Sequence, residues 1–492
     1  MTSRTKLVLS FATGLAAASG HAPFGLWPLA IVGFSGLIWL VARADRPGRT
    51  AWVAGAGYFG LSMHWIVEPF LVDIATHGWM APFALLFLAT GLALFWGGAA
   101  WVAGRFFAEP GTRGLAFACL LALAEMLRGH IFTGFPWALP GYIWAETPLR
   151  AATAWTGSYG LSALTLFACA CLVHPARLRG VVLGAGLLGA LFLAGALRMG
   201  TPLPSESLGQ VRLVQPNVPQ NEKWVPEKVP EHFRRFRQLS QGAKEADNAM
   251  VVWPEAAIVY PLDRAETFLS AGYASAGVPV VTGINRRSNE GGWHNSMVVA
   301  GHLGEVSDVY DKVHLVPFGE YIPFQIEFIR AMAASSGFGF TPGAAVHTID
   351  TPLGRALPLI CYEGIFPGQL FRAKDRADYL LLITNDAWFG TFSGPYQHLD
   401  QARFRAAEQG LSLVRVANTG ISTVIDPLGR IAPGQSIPLG RTGHLDSPVR
   451  KGAITFYART GDWPWPVILL LTLTGLILTE RRNAIANRRT TS

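Results

Sequence analysis

Apolar residues follow two different rhythms along this chain. Before about residue 200 they form long, nearly continuous stretches, at 5–21, 25–43, 51–67, 80–104, 114–129, 155–174 and 180–198, and an eighth lies at 464–480. A helix needs roughly 20 mainly apolar residues to cross a bilayer, and spanning helices tolerate the Gly and Pro that several stretches contain. Between 211 and 450 the rhythm shortens. Apolar runs recur at 211–214, 250–253, 278–282, 296–300, 356–360, 379–384 and 413–416, with helical patterns at 229–245, 264–276 and 397–409. Strands alternating with helices predict a layered α/β domain. The expected organisation is a seven-helix transmembrane domain over 1–200, a linker near 201–210, and an α/β domain over 211–450. A C-terminal transmembrane helix over 464–480 and a basic tail over 481–492 complete it. The stretch 321–340 is more apolar than a surface loop, and two readings stay open: a core helix, or an arm dipping into lipid.

Charge refines this picture. Half the residues are hydrophobic and 15% are charged, against roughly 25% charged in a typical soluble protein. The net charge of +8 is carried by short loops beside the apolar stretches, including Arg43, Arg46, Arg49, Arg105, Arg113, Arg177 and Arg179, and by the tail with Arg481, Arg482, Arg488 and Arg489. The loops near 22–24 and 68–79 hold no Lys or Arg. Positive loops face the cytoplasm. Both termini are therefore expected inside and the α/β domain on the outer side of the membrane. Six or eight helices before the domain would break this parity. The same distribution leaves a nucleic-acid partner without support. Arg4 and Lys6 before an apolar run resemble a secretory signal peptide, but the next apolar stretch follows at once, which favours a helical hairpin. Cleavage near Ser19 would leave the later topology unchanged.

Inside the apolar stretches ionisable residues are scarce. Glu125 is the clear exception, with Arg128 and His130 near the outer edge. A transporter would place more of them there. Phe135, Pro136, Trp137, Tyr142 and Trp144 in the loop near 130–154 read as interfacial anchors.

Three motifs of the α/β domain carry possible chemistry. In Val251-Val252-Trp253-Pro254-Glu255 a strand runs into a proline that cannot continue a ladder, leaving a carboxylate at a strand end. Alone, Glu255 reads as a solvated turn residue; desolvated, it is a base. The block 310–323, YDKVHLVPFGEYIP, is too apolar for a surface loop, so Lys312 and Glu320 are expected to be partly buried and paired. His314 has no Cys or His partner at metal spacing and reads as structural. In Leu359-Ile360-Cys361-Tyr362-Glu363-Gly364 an apolar run ends in a cysteine. The other three, Cys119, Cys169 and Cys171, lie in the long apolar stretches. A lone cysteine is often a small buried hydrophobe. With a base and a cation beside it, it is a nucleophile.

These motifs, in this order, resemble the Glu-Lys-Cys triad of the nitrilase superfamily. With seven apolar helices before the domain, one after it, His21-Ala22-Pro23-Phe24-Gly25 and the 215–224 stretch (QPNVPQNEKW), the chain resembles the apolipoprotein N-acyltransferase family. The resemblance implies an eight-helix membrane bundle with an α-β-β-α sandwich domain. It implies Glu255 as general base, Lys312 as oxyanion stabiliser and Cys361 as nucleophile. Glu320 matches a second acid that the family needs. Tyr362 and Glu363 match residues beside the nucleophile, with the Tyr362 N–H a second oxyanion donor, and Trp224 matches a tryptophan of substrate handling. The stretch 385–389 resembles a loop near the site and receives no role. The implied reaction passes an acyl chain from a phospholipid, phosphatidylethanolamine by resemblance, through a Cys361 thioester to the α-amino group of a diacylglyceryl-lipoprotein, with ping-pong kinetics. No cofactor and no metal are implied, and a monomer is the expectation. The rival reading is a membrane-anchored amidase or hydrolase of a small molecule.

Overall fold

In the computed structural model, which describes residues 3–288, 291–322 and 339–490, the chain divides into two units. The first gathers 1–201, 392–400 and 455–492; the second gathers 202–391 and 401–454. Most of the stretch 321–340 lies outside the described residues, and so do both of its expected readings.

The long apolar stretches of the first unit fold as helices Ser3–Ala18, Trp27–Ala42, Pro47–Ser62, Ala81–Phe106, Pro110–Arg128, Thr153–Leu172, Leu178–Met199 and Pro464–Thr490. Among the described residues, four helical spans are long and apolar enough to cross a membrane: Ile74–Phe106, Pro110–Arg128, Pro148–Leu172 and Leu178–Met199. The first three helices have 16 residues each, short of the usual span. Small residues let them approach closely, as they do between membrane helices in general. A Cβ at Gly14 would stand 1.9 Å from the Ala54 carbonyl oxygen.

Glu125 and Arg128 are both buried and form an ion pair one helical turn apart. Trp96 Nε1 donates to Glu125 Oε1 at 2.8 Å, and the Arg128 guanidinium lies 5.2 Å over the Phe59 ring. Arg128 also donates to the Phe135 carbonyl. The pair thus ties the helix 110–128 to the loop that follows it. Pairing is how an apolar environment accommodates such charges.

The anchoring expected of the 130–154 aromatics is corrected here. Trp137 is 1% exposed, and Tyr142 and Trp144 are also buried. Trp137 Nε1 donates to Gln397 Oε1 at 2.6 Å, Gln397 Nε2 donates to the Ala22 carbonyl at 2.9 Å, and Trp144 Nε1 donates to Thr165 Oγ1 at 2.9 Å. A buried indole N–H needs an acceptor, and these tryptophans find theirs inside the protein.

The second unit holds two six-stranded sheets. The first contains β1 (Ser207–Gln215), β2 (Asn248–Val252), β3 (Val280–Arg287), β4 (Trp293–Ala300), β5 (Val306–Asp311) and β12 (Gly443–Arg450), in the order β12-β1-β2-β3-β4-β5. The second contains β6 (Ile349–Thr351), β7 (Gly354–Ile360), β8 (Tyr379–Thr384), β9 (Leu413–Ala417), β10 (Ser422–Ile425) and β11 (Ile431–Ile437), in the order β11-β10-β9-β8-β7-β6. Each has two parallel pairings at its centre, β1-β2-β3 and β7-β8-β9, flanked by antiparallel strands. Alternation sorts the side chains. Val211, Leu213, Met250 and Val252 join Tyr379, Leu381, Ile383 and Val414 in one core, so the sheets pack face to face. Val214, Val251 and Trp253 point the other way and join Phe236 and Leu269 of helices Val229–Ser240 and Glu266–Ala276. The helix Gly394–Gln409 is almost wholly buried from residue 401 onward. This is the layered α/β domain that the alternating runs predict.

Candidate active site

Three strand ends place the three motifs. After β2, Trp253 N still bonds the Val281 carbonyl at 2.8 Å, and Pro254 then stops the ladder. The 254–256 turn lies directly over β3 at Gly283. A Cβ there would meet Ala256 N at 2.5 Å and the Glu255 Cα at 2.6 Å, so only glycine admits this turn. Glu255 is buried, not solvated as its motif alone suggests. After β5, Lys312 N bonds the Asn295 carbonyl at 2.8 Å, and the side chain turns inward to 1% exposure. After β7 comes Cys361, with φ of +51°. That left-handed conformation costs about 1–3 kcal/mol in a non-glycine residue, so its surroundings must hold it.

Glu363 does the holding. Its Oε1 accepts from the Tyr310 hydroxyl (2.8 Å), Val313 N (2.9 Å), His314 N (3.1 Å) and Gln369 Nε2 (3.0 Å), and its Oε2 accepts from Ile360 N (2.9 Å). One carboxylate therefore fastens the Cys361 turn to the chain on either side of Lys312. Burial pushes the Glu363 carboxyl above the usual range, opposed by the Ile360 and His314 N–H bonds. From the other side, Arg405 donates to the Ile365 carbonyl at 2.9 Å while its fork is held by Glu408 at 2.7 and 2.8 Å. His314 stacks on Phe366 at 3.8 Å and meets the buried Tyr362 edge-on at 5.6 Å, a packing role.

The charged groups form one cluster. Lys312 Nζ lies 2.9 Å from Glu320 Oε1 and 3.6 Å from Glu255 Oε1. Asn295 Nδ2 donates to both carboxylates, at 2.8 Å to Glu255 Oε1 and 3.1 Å to Glu320 Oε1. Glu320 Oε2 takes Val316 N at 2.7 Å. Both oxygens of Glu320 are thereby committed, while Glu255 Oε2 has no hydrogen bond among the described residues. The arrangement suits Glu320 to positioning and Glu255 to accepting a proton. Burial works to remove the Lys312 proton, but Glu320 and Glu255 more than offset it and hold the ammonium above the usual lysine range. The Cys361 thiol moves the other way. Burial, then the Glu255 charge, push it well above the ordinary value, against Lys312 and a hydrogen bond with Thr384. The resting group is a thiol beside a carboxylate, which calls for deprotonation during attack.

Trp224 is half exposed, and Lys223 beside it sends Nζ inward to the Glu255 carbonyl at 3.1 Å. The loop before it is pinned by Asn418, whose Oδ1 accepts Val218 N at 3.0 Å, and by Asn385, whose Nδ2 donates to Gln220 Oε1 at 2.8 Å. The stretch 385–389 so acquires a place: Asn385 braces that loop, and Asp386 is buried against Arg415 and accepts from Thr384 Oγ1 at 2.9 Å. Among the described residues no group of three His, Cys, Asp or Glu side chains is arranged to hold a metal. The sequence reading missed Asn295 and the inward reach of Lys223. The polar trio His294-Asn295-Ser296 opening an otherwise apolar strand was the available signal for Asn295.

Comparison with known proteins covers both units. Residues 13–171 match the family model of the apolipoprotein N-acyltransferase N-terminal domain, and 210–437 match that of carbon-nitrogen hydrolase. A Caulobacter vibrioides protein named apolipoprotein N-acyltransferase is 38% identical, covering 94% of this chain and 92% of its own. One of the same name from Rhodopseudomonas palustris is 36% identical over 97% and 95%. Among solved structures, a carbon-nitrogen hydrolase from Helicobacter pylori G27 is similar to 49% of this chain over 88% of its own, with 18% identity and a TM-score of 0.38.

Proposed function

The chain belongs to the apolipoprotein N-acyltransferase family, and from that premise we propose that it moves a fatty acyl chain from a membrane phospholipid, phosphatidylethanolamine in the first instance, to the α-amino group of the N-terminal diacylglyceryl-cysteine of a lipoprotein. In the first half-reaction Cys361 Sγ attacks the ester carbonyl carbon while its proton passes to Glu255. Lys312 and the Tyr362 N–H stabilise the oxyanion. Collapse breaks the C–O bond, Glu255 returns the proton to the departing oxygen, and a lysophospholipid leaves a thioester on Cys361. In the second, the amine attacks the thioester and gives a proton to Glu255. The C–N bond forms, the C–S bond breaks and the thiol is restored. Glu320 orients Lys312, Glu363 holds the Cys361 turn, and Trp224 handles substrate at the rim.

The observation that carries this reading is the buried cluster in which Glu255, Lys312 and Cys361, far apart in sequence, stand at strand ends and feel one another's charge. A small-molecule hydrolase would use the same triad, but it has no need of the family's membrane domain. In the cell the protein sits in the bacterial inner membrane as a monomer, with eight spanning helices, the catalytic domain in the periplasm and both termini in the cytoplasm. The arginine-bearing loops support that orientation. Intact-mass measurement after incubation with phosphatidylethanolamine tests the proposal. A fatty-acyl mass that hydroxylamine removes, absent in Cys361→Ala, is the expected result. No adduct on the folded protein would overturn it.

A further inference from the structure

Lys223 carries a cation into the centre of the site that the triad does not account for. The residue is 5% exposed, its Nζ donates to the Glu255 backbone carbonyl at 3.1 Å, and among the described residues that is its one hydrogen bond. An ammonium has three N–H donors, so two find no acceptor among the described residues. They are not spent on a carboxylate, as those of Lys312 are. A buried cation with unused donors is costly unless a ligand completes it. Its bond to the Glu255 carbonyl puts this ammonium beside the proposed base, and it stands 5.9 Å from the Trp224 ring centroid at the rim.

Charge selects the ligand. Glu255, Glu320 and Lys312 together carry one net negative charge, which would repel an incoming anion. Lys223 cancels it. The phospholipid donor has one anion fixed by the glycerol close to its ester, the phosphodiester. The amine acceptor brings no phosphate at its reacting end. We propose that Lys223 is a specificity-determining residue that binds the phosphodiester of the acyl donor, so that the ester reaches Cys361 while the phosphate completes the uncommitted N–H donors. This rests on the acyl-transfer reading above.

The test compares two donors in the same detergent micelles, phosphatidylethanolamine and the neutral p-nitrophenyl ester of the same fatty acid. Acylation of the full-length protein is followed by intact mass in single turnover. Lys223→Met is expected to lower the ratio of phospholipid to nitrophenyl-ester acylation by about tenfold to a hundredfold, the size of a lost charge-assisted hydrogen bond, with the phospholipid loss in KM. Lys223→Arg should keep most of the ratio. An unchanged ratio, whether both rates fall together or neither falls, overturns the proposal, because Lys223 would then act on the Glu255–Cys361 chemistry or on nothing. If Lys223→Met does not fold, the Lys223→Arg ratio, with free glycerol phosphate as a competitor of phospholipid but not of the neutral ester, decides the matter. Failure of the underlying reading looks different: wild-type protein would take no acyl group from phospholipid while still reacting with the neutral ester.

Discussion

The Tyr310 hydroxyl donates to Glu363 Oε1 at 2.8 Å, joining the last turn of β5 to the turn that follows β7. The two strands belong to different sheets, so this bond and its neighbours set how far Lys312 stands from Cys361. Glu363→Gln replaces an oxygen that gathers donors with a group that can supply its own. It should destabilise the domain by about 1.5–3 kcal/mol, the range for hydrogen bonds to a charged group, and slow acyl-enzyme formation by more than stability explains. Thermal melting and single-turnover acylation, measured together, check it. A variant with wild-type acylation would remove Glu363 from the positioning of the site.

Gly283 gives a second expectation. A methyl at this position would collide with the Glu255 Cα and Ala256 N. Gly283→Ala should cost about 1–3 kcal/mol, as overpacking does, and displace the base. Acylation should fall at least tenfold in about the way that a 1 Å misplacement lowers rates. Wild-type kinetics in this variant would mean that the position of the 254–256 turn does not matter to the chemistry.

The raised Cys361 thiol predicts slow alkylation. Burial and the Glu255 carboxylate keep it protonated at neutral pH. Peptide-resolved labelling with iodoacetamide should show Cys361 reacting far more slowly than an exposed cysteine at pH 7. The rate should still be rising at pH 10, beyond the ordinary cysteine range of about 8.5. A plateau near pH 8 would argue for a standing thiolate instead.

Lys223 sets a pH dependence of the opposite sense. Burial pulls its ammonium down to about 8, against the Glu255 and Cys361 charges that raise it. Below pH 8 the ammonium is charged, and above it the charge is lost. Preference for phospholipid over the neutral ester should therefore fall as pH rises through about 8. It should stay flat in Lys223→Arg, whose guanidinium does not titrate in this range.

Glu125→Ala would leave Arg128 buried without its carboxylate. Removing one partner of a buried pair costs about 3–5 kcal/mol, and the loop held through the Phe135 carbonyl should loosen with it. Protease protection of that loop in membranes reads the effect.

The apolar rhythm located the long helices because they are apolar along most of their length, whether or not the protein buries them, and the central strands because both their faces are buried. It did not locate β5, β6, β10, β11 or β12. Strands such as Gly443–Arg450 expose alternate positions and carry Asp446 and Pro448, so they lack the apolar signal. The polar residues at strand ends were legible as motifs. What the motifs could not convey is commitment: that Glu320 is filled on both oxygens by Lys312, Asn295 and Val316, that Glu363 is a clamp, and that Lys223 points inward while Trp224 beside it points out. Those depend on which strand lies beside which, and no local pattern records that. The 130–154 aromatics misled for the same reason, since a tryptophan at a membrane edge and one hydrogen-bonded to a glutamine 260 residues away look alike in sequence.

That glutamine has a consequence for how the chain is made. Gln397 leaves the ribosome long after Trp137, and at about 5–20 residues per second the delay is on the order of tens of seconds. Through that interval the Trp137 indole and the Ala22 carbonyl belong to a half-built interior whose missing piece is still being translated. A messenger truncated near codon 200 would yield the early helices with that gap permanent. The membrane unit is thus finished from its far end, after most of the second unit has been translated.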